Sequence, residues 1–398
     1  GRDAVAVDTP NRSGRVGPVT GTGVETPVRL TAGRAGNPTL GRVPALDGVR
    51  GIAVLTVLGF HLRPFGLFAG GWLGVNVFFA LSGFLITSLI VEELALTGTF
   101  SFRRFHIRRM LRLQPALVLF IVVWTGLLVA VHDQPWFSSV PSLPVNPHAT
   151  VPLSVGFTGV LAALGEVFNW LAAFGVPGGP LGQVWSLSIE WQFYLVWPIV
   201  LLACYRRERR AALAMTFTLV AASALATAMM YQGPTDNDRV YFGTDTQAQA
   251  LLLGAAAAQL LASGCLNRIL AWRGWKVVAW SAAAALAAMA LVAHHAEAWR
   301  AHGGWLLIAA LAATVVTTLA GAPRGLGSHL LECAPLRYVG RRSYALYLWS
   351  YVFCTWTRLL GPWPHTLFTL AGTFITAEVS WRLIERPALA LKGRLPRP

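Results

Sequence analysis

The sequence predicts an all-α protein, a polytopic membrane helical bundle of about ten transmembrane helices plus one interfacial or re-entrant segment. The first observation is composition: of the 398 residues, 55% are hydrophobic and only 12% are charged. An average soluble domain carries about twice that share of charge. The second observation is that apolar runs of about 18 residues or more recur along the chain, which is the length that a helix needs to cross a bilayer.

The basic residues lie mainly between the apolar runs, although the net charge of the chain is +15. This placement is typical of topology determinants at a membrane surface, so it argues against nucleic acid as a partner. The four cysteines are scattered and show no metal-ligand spacing. The sequence therefore predicts no metal site and no disulfide.

Three segments differ in composition. Residues 1–43 are rich in Gly, Thr, Pro and Arg and lack apolar periodicity, which predicts a disordered basic cytoplasmic tail rather than a signal peptide. Residues 44–392 are predicted to form a single transmembrane domain. Residues 393–398 are predicted to form a short basic tail.

The apolar runs can be placed by the positive-inside rule. They cover residues 46–62, 71–91, 115–132, 153–174, 185–204, 211–231, 247–264, 277–293, 304–321, 344–360 and 367–384. The later basic loops reach the cytoplasm only if the run 153–174 does not span. That run is rich in Gly and contains Glu166 and Asn169, so we predict that it is interfacial or re-entrant. The other ten runs then span, and both termini lie in the cytoplasm of a multi-pass bacterial inner-membrane protein.

The first apolar run, LDGVRGIAVLTVLGFHL, is unusual because it contains ionisable residues. Arg50 and His61 are eleven residues apart, which is three helical turns plus about 20°, so they share one face about 16 Å apart. Ionisable groups within a membrane are costly and usually mark a functional site.

Seven segments in order resemble the acyltransferase family 3 membrane O-acyltransferases. They are LDGVRGIAVLTVLGFH, GGWLGVNVFFALSGFLIT, FHIRRMLRLQPAL, WSLSIEWQFYLVWP, FGTDTQAQALLLGA, RRSYALYLWS and WRLIERP. The resemblance implies transfer of an acyl group, usually acetyl, from acyl-CoA to a hydroxyl. It implies a sugar-containing acceptor, either a cell-surface glycan or a glycosylated natural product such as a macrolide. The paired Arg and His of the family correspond to Arg50 and His61.

The residue types fit this chemistry. His61 has a side chain suited to act as general base for the acceptor hydroxyl, and a covalent acyl-histidine intermediate is an open alternative. Arg50 is predicted to hold a phosphate or the pantetheine arm of acyl-CoA, the donor substrate, since guanidinium groups bind phosphate well. The donor then enters from the cytoplasm and the acceptor from outside. The alternative is that Arg50 snorkels to the interface and His61 is a structural core histidine.

Glu190, in WSLSIEWQF, is the third predicted catalytic residue. Its position in its helix suggests that Glu190 lies at the same depth in the membrane as His61. A carboxylate there would orient the imidazole. Ser186 lies one turn away on the same face and is a candidate substrate-binding residue. The alternative is that Glu190 pairs structurally with a buried Arg or hydroxyl.

A basic cluster precedes Pro115 and contains Arg103, Arg104, Arg108, Arg109 and Arg112. The last three fit the family's RRxxRLxP pattern and are predicted to bind the phosphates of CoA. The alternative is topology-determining charge that faces lipid headgroups.

Two further substrate-binding residues are predicted from other motifs. Ser82 lies in a glycine-rich helix, where small residues permit either close helix packing or a ligand channel, and packing is favoured. Asp245 begins a helix and is interpreted either as an N-terminal cap, which is favoured, or as a contact to the acceptor. Asn76 and Gln247 stand where the family more often has Asp and Arg.

Two other functions fit a polytopic helical protein. A transporter or flippase of sugar-containing substrates also carries intramembrane charge, but we find no internal repeat that would support it. A non-catalytic membrane module is disfavoured because both Arg50 and His61 are retained. The expected partners are acyl-CoA, a hydroxylated sugar or glycoside, and the bilayer.

Overall fold

A computed structural model describes most of the transmembrane domain. It covers residues 43–62, 68–131, 152–176, 181–233, 238–294, 298–322, 325–357 and 360–394. The predicted tail of residues 1–43 lies outside the described residues except for Val43, as do the last residues of the predicted segment 393–398.

The described residues form helices and no β-strand, as the composition predicts. In chain order, the α-helices are α1 (Pro44–His61), α2 (Leu73–Thr97), α3 (Phe102–Val131), α4 (Leu153–Leu164), α5 (Phe168–Ala173), α6 (Val184–Tyr205), α7 (Arg209–Met230), α8 (Asp238–Phe242), α9 (Thr244–Ala262), α10 (Asn267–Ala271), α11 (Arg273–Val292), α12 (Gly304–Gly321), α13 (Leu326–Leu331), α14 (Ala334–Arg341), α15 (Ser343–Trp356), α16 (Pro362–Ser380) and α17 (Arg386–Arg394). A 3₁₀ turn covers Ala298–Arg300, and a π-helical turn at Trp381–Glu385 joins α16 to α17.

Seven helical segments among the described residues are long and apolar enough to cross a membrane. They are α2, α3, α6, α7, α11, α12 and the continuous segment Pro362–Leu391. The polytopic helical class is thus confirmed, whereas the predicted count of about ten is not. The three other predicted spans correspond to α1 and α9, which are more polar, and to α15, which has only 14 residues.

The predicted interfacial or re-entrant segment is a broken helix. Helix α4 has 12 residues and α5 has six, so neither is long enough to cross a bilayer alone. The break lies at Glu166, whose backbone has φ of 55°, a left-handed conformation that costs free energy in a residue with a side chain.

Helix α2 lies at the centre of the bundle and packs against α1, α6, α9 and α12. Its contact with α9 depends on small residues, because a Cβ atom on Gly83 would overlap the carbonyl oxygen of Leu251. The reciprocal contact is made by Gly254 against Ala80. This glycine-rich stretch therefore serves close helix packing at Gly83, as favoured from the sequence.

The same interface contains a buried amide pair. Nδ2 of Asn76 donates to Oε1 of Gln247 at 3.4 Å, and both side chains are buried. The two positions at which the sequence differs from the family's common Asp and Arg therefore contact each other. A neutral pair stands where those residue types would form an ion pair.

Candidate active site

A cavity of about 760 Å³ opens among the helices that carry the sequence motifs. Its wall is formed by α1, α2, α3, α6, α14, α15, the π-helical turn and α17. The predicted site residues in this wall are Arg50, Ser186, Glu190, Arg108, Arg109 and Arg112. The fold thus brings together six residues from three separate motifs.

The arginines on α3 are directed to this cavity rather than to lipid. Arg108, Arg109 and Arg112 line it, and Arg109 is the most enclosed, with only 8% of its surface exposed. Its guanidinium lies 5.9 Å from the ring centroid of Phe105 and 5.5 Å from that of Tyr194, which are cation–π distances. This placement favours ligand binding over topology-determining charge for these three residues.

The two arginines at the start of the basic cluster have other surroundings. Arg103 is exposed and lies outside the cavity wall. Arg104 lies 3.8 Å from Glu93 in an ion pair with α2. Only the part of the cluster that fits the RRxxRLxP pattern reaches the cavity.

Arg50 projects into the cavity from α1 and is half-buried there. It lies close enough to Arg112 and Glu190 for electrostatic interaction with both. A snorkelling arginine would instead extend along the lipid-facing side of the helix to the interface. Arg50 is therefore a cavity residue.

Glu190 is held by a chain of hydroxyl groups. The hydroxyl of Tyr194 donates to Oε2 of Glu190 at 3.0 Å, and the Tyr194 oxygen lies 2.5 Å from Oγ of Ser82. Ser82 and Tyr194 are buried, and Ser82 does not line the cavity. Ser82 thus contacts Glu190's partner rather than open space.

Ser186 forms a second hydroxyl pair in the cavity wall. Its Oγ lies 2.6 Å from the hydroxyl of Tyr347, which also donates to the backbone carbonyl of Gln183 at 3.1 Å. The contact joins α6 to α15. Ser186 and Tyr347 are therefore fixed relative to each other at one side of the cavity.

His61 lies at the other end of α1 from Arg50 and does not line the cavity. Its Nδ1 is 2.8 Å from the carbonyl oxygen of Val57, and its ring packs edge-on against Tyr351 at 5.6 Å. A carbonyl accepts only from N–H, so Nδ1 carries the proton, and Nε2 is the nitrogen with a lone pair when the ring is neutral.

The partner of Nδ1 differs from the one expected. The sequence interpretation gave Glu190 the role of orienting the imidazole of His61, but the carbonyl of Val57 fills it. Glu190 instead has a buried hydroxyl as partner, which was the alternative interpretation. Tyr351, the ring that His61 contacts, lies one helical turn beyond the cavity residue Tyr347 on α15, so His61 lies outside the cavity near that side of its wall.

Asp245 also lies outside the cavity wall. Its carboxylate pairs with Arg239 at 2.7 and 2.9 Å, and the guanidinium of Arg239 lies 5.1 Å from the ring of Trp170. Helix α9 has Gly243 at its N-cap position and no side-chain capping bond. Gly243 rather than Asp245 thus occupies the N-cap position, and the side chain of Asp245 forms an ion pair.

Several cavity residues were not identified from the sequence. Arg341, Tyr344, Trp381, Glu385 and Arg386 all line it. The WRLIERP motif contributed only to the family resemblance, yet Trp381 and Glu385 in its π-helical turn and Arg386 directly after it line the cavity. Such turns are rare and occur often at functional sites.

The site is suited to an anionic ligand rather than to a metal ion. Among the described residues, no group of three or more His, Cys, Asp or Glu side chains could hold a metal. Guanidinium groups bind phosphate through charge-assisted, bidentate hydrogen bonds. The cavity therefore offers binding for a phosphate-bearing molecule.

Comparison with known protein families gives the same family as the sequence motifs. A family model described as an acyltransferase domain matches residues 43–384. No solved structure matches the chain.

Curated relatives cover most of this chain. Peptidoglycan O-acetyltransferase OatA of Listeria monocytogenes is 32% identical over 87% of this chain and 55% of its own length. Putative peptidoglycan O-acetyltransferase YrhL of Bacillus subtilis is 34% identical over 87% of this chain and 54% of its own length. O-acetyltransferase OatA of Staphylococcus aureus is 31% identical over 87% of this chain and 57% of its own length. The chain thus spans about half the length of these relatives.

Proposed function

The chain belongs to acyltransferase family 3, and from that membership we propose that it is a membrane O-acetyltransferase acting on a hydroxyl of a cell-wall sugar. Relatives that are named O-acetyltransferases, two of them for peptidoglycan, support acetyl as the group and a glycan as the acceptor class. A macrolide or another glycoside is a less favoured acceptor.

The observation that carries the proposal is the arginine-lined cavity. Arg50, Arg108, Arg109 and Arg112 face one space of about 760 Å³. We assign them to the phosphates of acetyl-CoA, which is the donor in this proposal. The donor's charged nucleotide end lies among the arginines, and its neutral arm extends along α1 toward His61.

The orientation of the helical bundle in the membrane follows from the availability of acetyl-CoA in the cytoplasm. The arginine-rich end of the bundle faces the cytoplasm, as the positive-inside rule also favours. Val43 and Leu389, close to the two described ends of the chain, both line the cavity. Both ends are therefore assigned to the cytoplasmic side, and the acceptor approaches from the opposite side.

The reaction is acyl transfer to an alcohol. Nε2 of His61 takes the proton of the acceptor hydroxyl while the oxygen attacks the thioester carbonyl. The carbon–sulfur bond then breaks, an ester forms, and the sulfur of CoA leaves with the proton that His61 returns. The hydrogen bond from Nδ1 to Val57 keeps the tautomer that this step needs.

The test uses the purified full chain in lipid nanodiscs, acetyl-CoA and peptidoglycan oligosaccharides. We expect release of CoA thiol together with an acetyl mass gain on the glycan. Arg109→Ala should raise the KM for acetyl-CoA by about 10- to 100-fold, because a charge-assisted bond is lost. The matched control is Arg103→Ala, since that exposed arginine belongs to the same cluster and does not line the cavity.

Two results would overturn the proposal. One is the absence of acetyl transfer with every acyl-CoA and glycan in the panel. The other is uptake of a sugar substrate into vesicles without release of thiol, which would indicate a transporter.

A further inference from the structure

We propose that Tyr194 is a positioning residue that holds Glu190 away from the cavity arginines, so that these arginines stay available to the phosphates of the donor. The inference rests on the proposed function, because it concerns the same donor site. It adds a residue that the sequence motifs did not assign and gives Glu190 a defined place in that site.

The cavity contains charges that would pair with each other if they were free to move. Glu190 interacts electrostatically with both Arg50 and Arg109. Among the described residues, however, no ion pair of 4 Å or less joins Glu190 to an arginine. A direct pair between these opposite charges would be attractive, so a restraint on the carboxylate is needed to keep it out of contact.

The hydroxyl of Tyr194 supplies that restraint. It donates to Oε2 of Glu190 at 3.0 Å from one turn further along α6. Ser82 lies 2.5 Å from the same hydroxyl oxygen and, as donor, leaves the tyrosine proton free for the carboxylate. Tyr194 and Ser82 are buried, so the bond between them is shielded, whereas Glu190 is half-buried and lines the cavity.

The ring of Tyr194 restrains the other partner. The guanidinium of Arg109 lies 5.5 Å from the ring centroid and 5.9 Å from the ring of Phe105. One side chain thus holds the carboxylate through its hydroxyl and the arginine through its ring. A phosphate entering the cavity meets guanidinium groups that are not already neutralised by Glu190.

A Tyr194→Phe substitution separates these two roles, because it keeps the ring and removes the hydroxyl. We expect the freed carboxylate of Glu190 to pair with an arginine and to compete with the donor. The Kd for CoA, measured by isothermal titration calorimetry on the full chain in nanodiscs, should rise by roughly tenfold. The double variant Tyr194→Phe/Glu190→Gln should restore the wild-type Kd, because a neutral amide cannot form the ion pair.

Tyr338→Phe is a closely matched control. The hydroxyl of Tyr338 also donates to a carboxylate, Glu378, at 2.7 Å, and its ring also lies under a guanidinium, that of Arg342 at 3.7 Å. Tyr338 does not line the cavity. Its loss should leave the Kd for CoA unchanged.

The outcomes separate the two proposals. An unchanged Kd in Tyr194→Phe, or a double variant as weak as the single one, would overturn the role of Tyr194 while leaving the proposed function intact. Absence of CoA binding by the wild-type chain would overturn the proposed donor, and this inference with it. Binding of CoA without any acetyl transfer would count against the proposed reaction alone.

Discussion

Glu166 and Gln114 are joined by a 2.8 Å hydrogen bond in which the amide of Gln114 donates to Oε1 of the carboxyl group. The other oxygen, Oε2, is buried without a hydrogen-bond partner among the described residues. Burial raises the pKa of Glu166 to about 7, although the bond from Gln114 acts in the opposite direction. A carboxyl group at the break between α4 and α5 is thus easier to bury in its neutral form.

This burial predicts a pH-dependent stability. The pKa of Glu166 is higher in the folded state than in the unfolded state, so its contribution is fully present below the unfolded value and is lost as the pH rises through about 7. Between about pH 4.5 and pH 7 the free energy of unfolding of the wild type should fall, by at most about 3 kcal/mol overall. Glu166→Gln should remove this part of the decline in a detergent thermal-shift titration. Glu208→Gln, at an exposed site, should keep it, and an equal decline in Glu166→Gln would contradict the interpretation.

A second prediction concerns donor selectivity. If Arg112 binds a phosphate of CoA, Arg112→Ala should raise the KM for acetyl-CoA by about 10- to 100-fold. The same substitution should barely change the KM for S-acetylpantetheine, which has no phosphate. Steady-state assays with the two donors measure the difference. Equal effects on both donors would show that Arg112 acts on the fold rather than on the phosphate.

The amide pair between α2 and α9 predicts a non-additive double mutant. Asn76→Asp alone places an unpaired carboxylate in a buried site and should destabilise the chain by about 3 kcal/mol or more. Adding Gln247→Arg supplies the opposite charge, so the double variant should recover much of that loss. Chemical denaturation in detergent of the two singles and the double gives the coupling free energy. If the loss of stability in the double variant equals the sum of the losses in the two single variants, the two positions are independent.

The close approach of α2 and α9 predicts that replacing a glycine at their contact destabilises the protein more than replacing a glycine elsewhere. Gly83→Ala forces a methyl group against the backbone of Leu251 and should destabilise the protein by about 1–3 kcal/mol. Gly126 lies within α3, and a Cβ atom added there would meet no neighbouring side chain or helix within 4 Å. Gly126→Ala should therefore be neutral or stabilising by up to about 1 kcal/mol. Thermal-shift assays compare the two, and an equal loss would contradict the packing account.

The sequence predicted those features that depend on local spacing. The eleven-residue separation of Arg50 and His61 places both on one face of α1, and the RRxxRLxP pattern identified three arginines that share one cavity. Both patterns lie within single helices, where rise and rotation per residue are fixed. Spacing alone does not say which neighbour fills each partner role, so the carbonyl of Val57 was not anticipated.

Features that depend on contacts between distant segments were not predictable in the same way. Trp381 and Arg386 reach the cavity through a π-helical turn, which leaves no clear hydropathy signal. Tyr194 lies in an apolar helix where periodicity indicates only a core position. The predicted count of about ten spans is not confirmed, because α1 and α9 are more polar and α15 is short, although their apolar runs resemble those of spanning helices.

The most direct test of the central claim is the rate of acetyl transfer from acetyl-CoA to a peptidoglycan oligosaccharide after His61→Ala. The account predicts a loss of at least about 100-fold in kcat with little change in the Kd for CoA, because Nε2 of His61 serves the chemistry and not the arginine-lined cavity. His106→Ala is the control, since Nδ1 of His106 also lies 2.8 Å from a carbonyl one turn back and its side chain does not line the cavity. Transfer at the wild-type rate by His61→Ala would contradict the account.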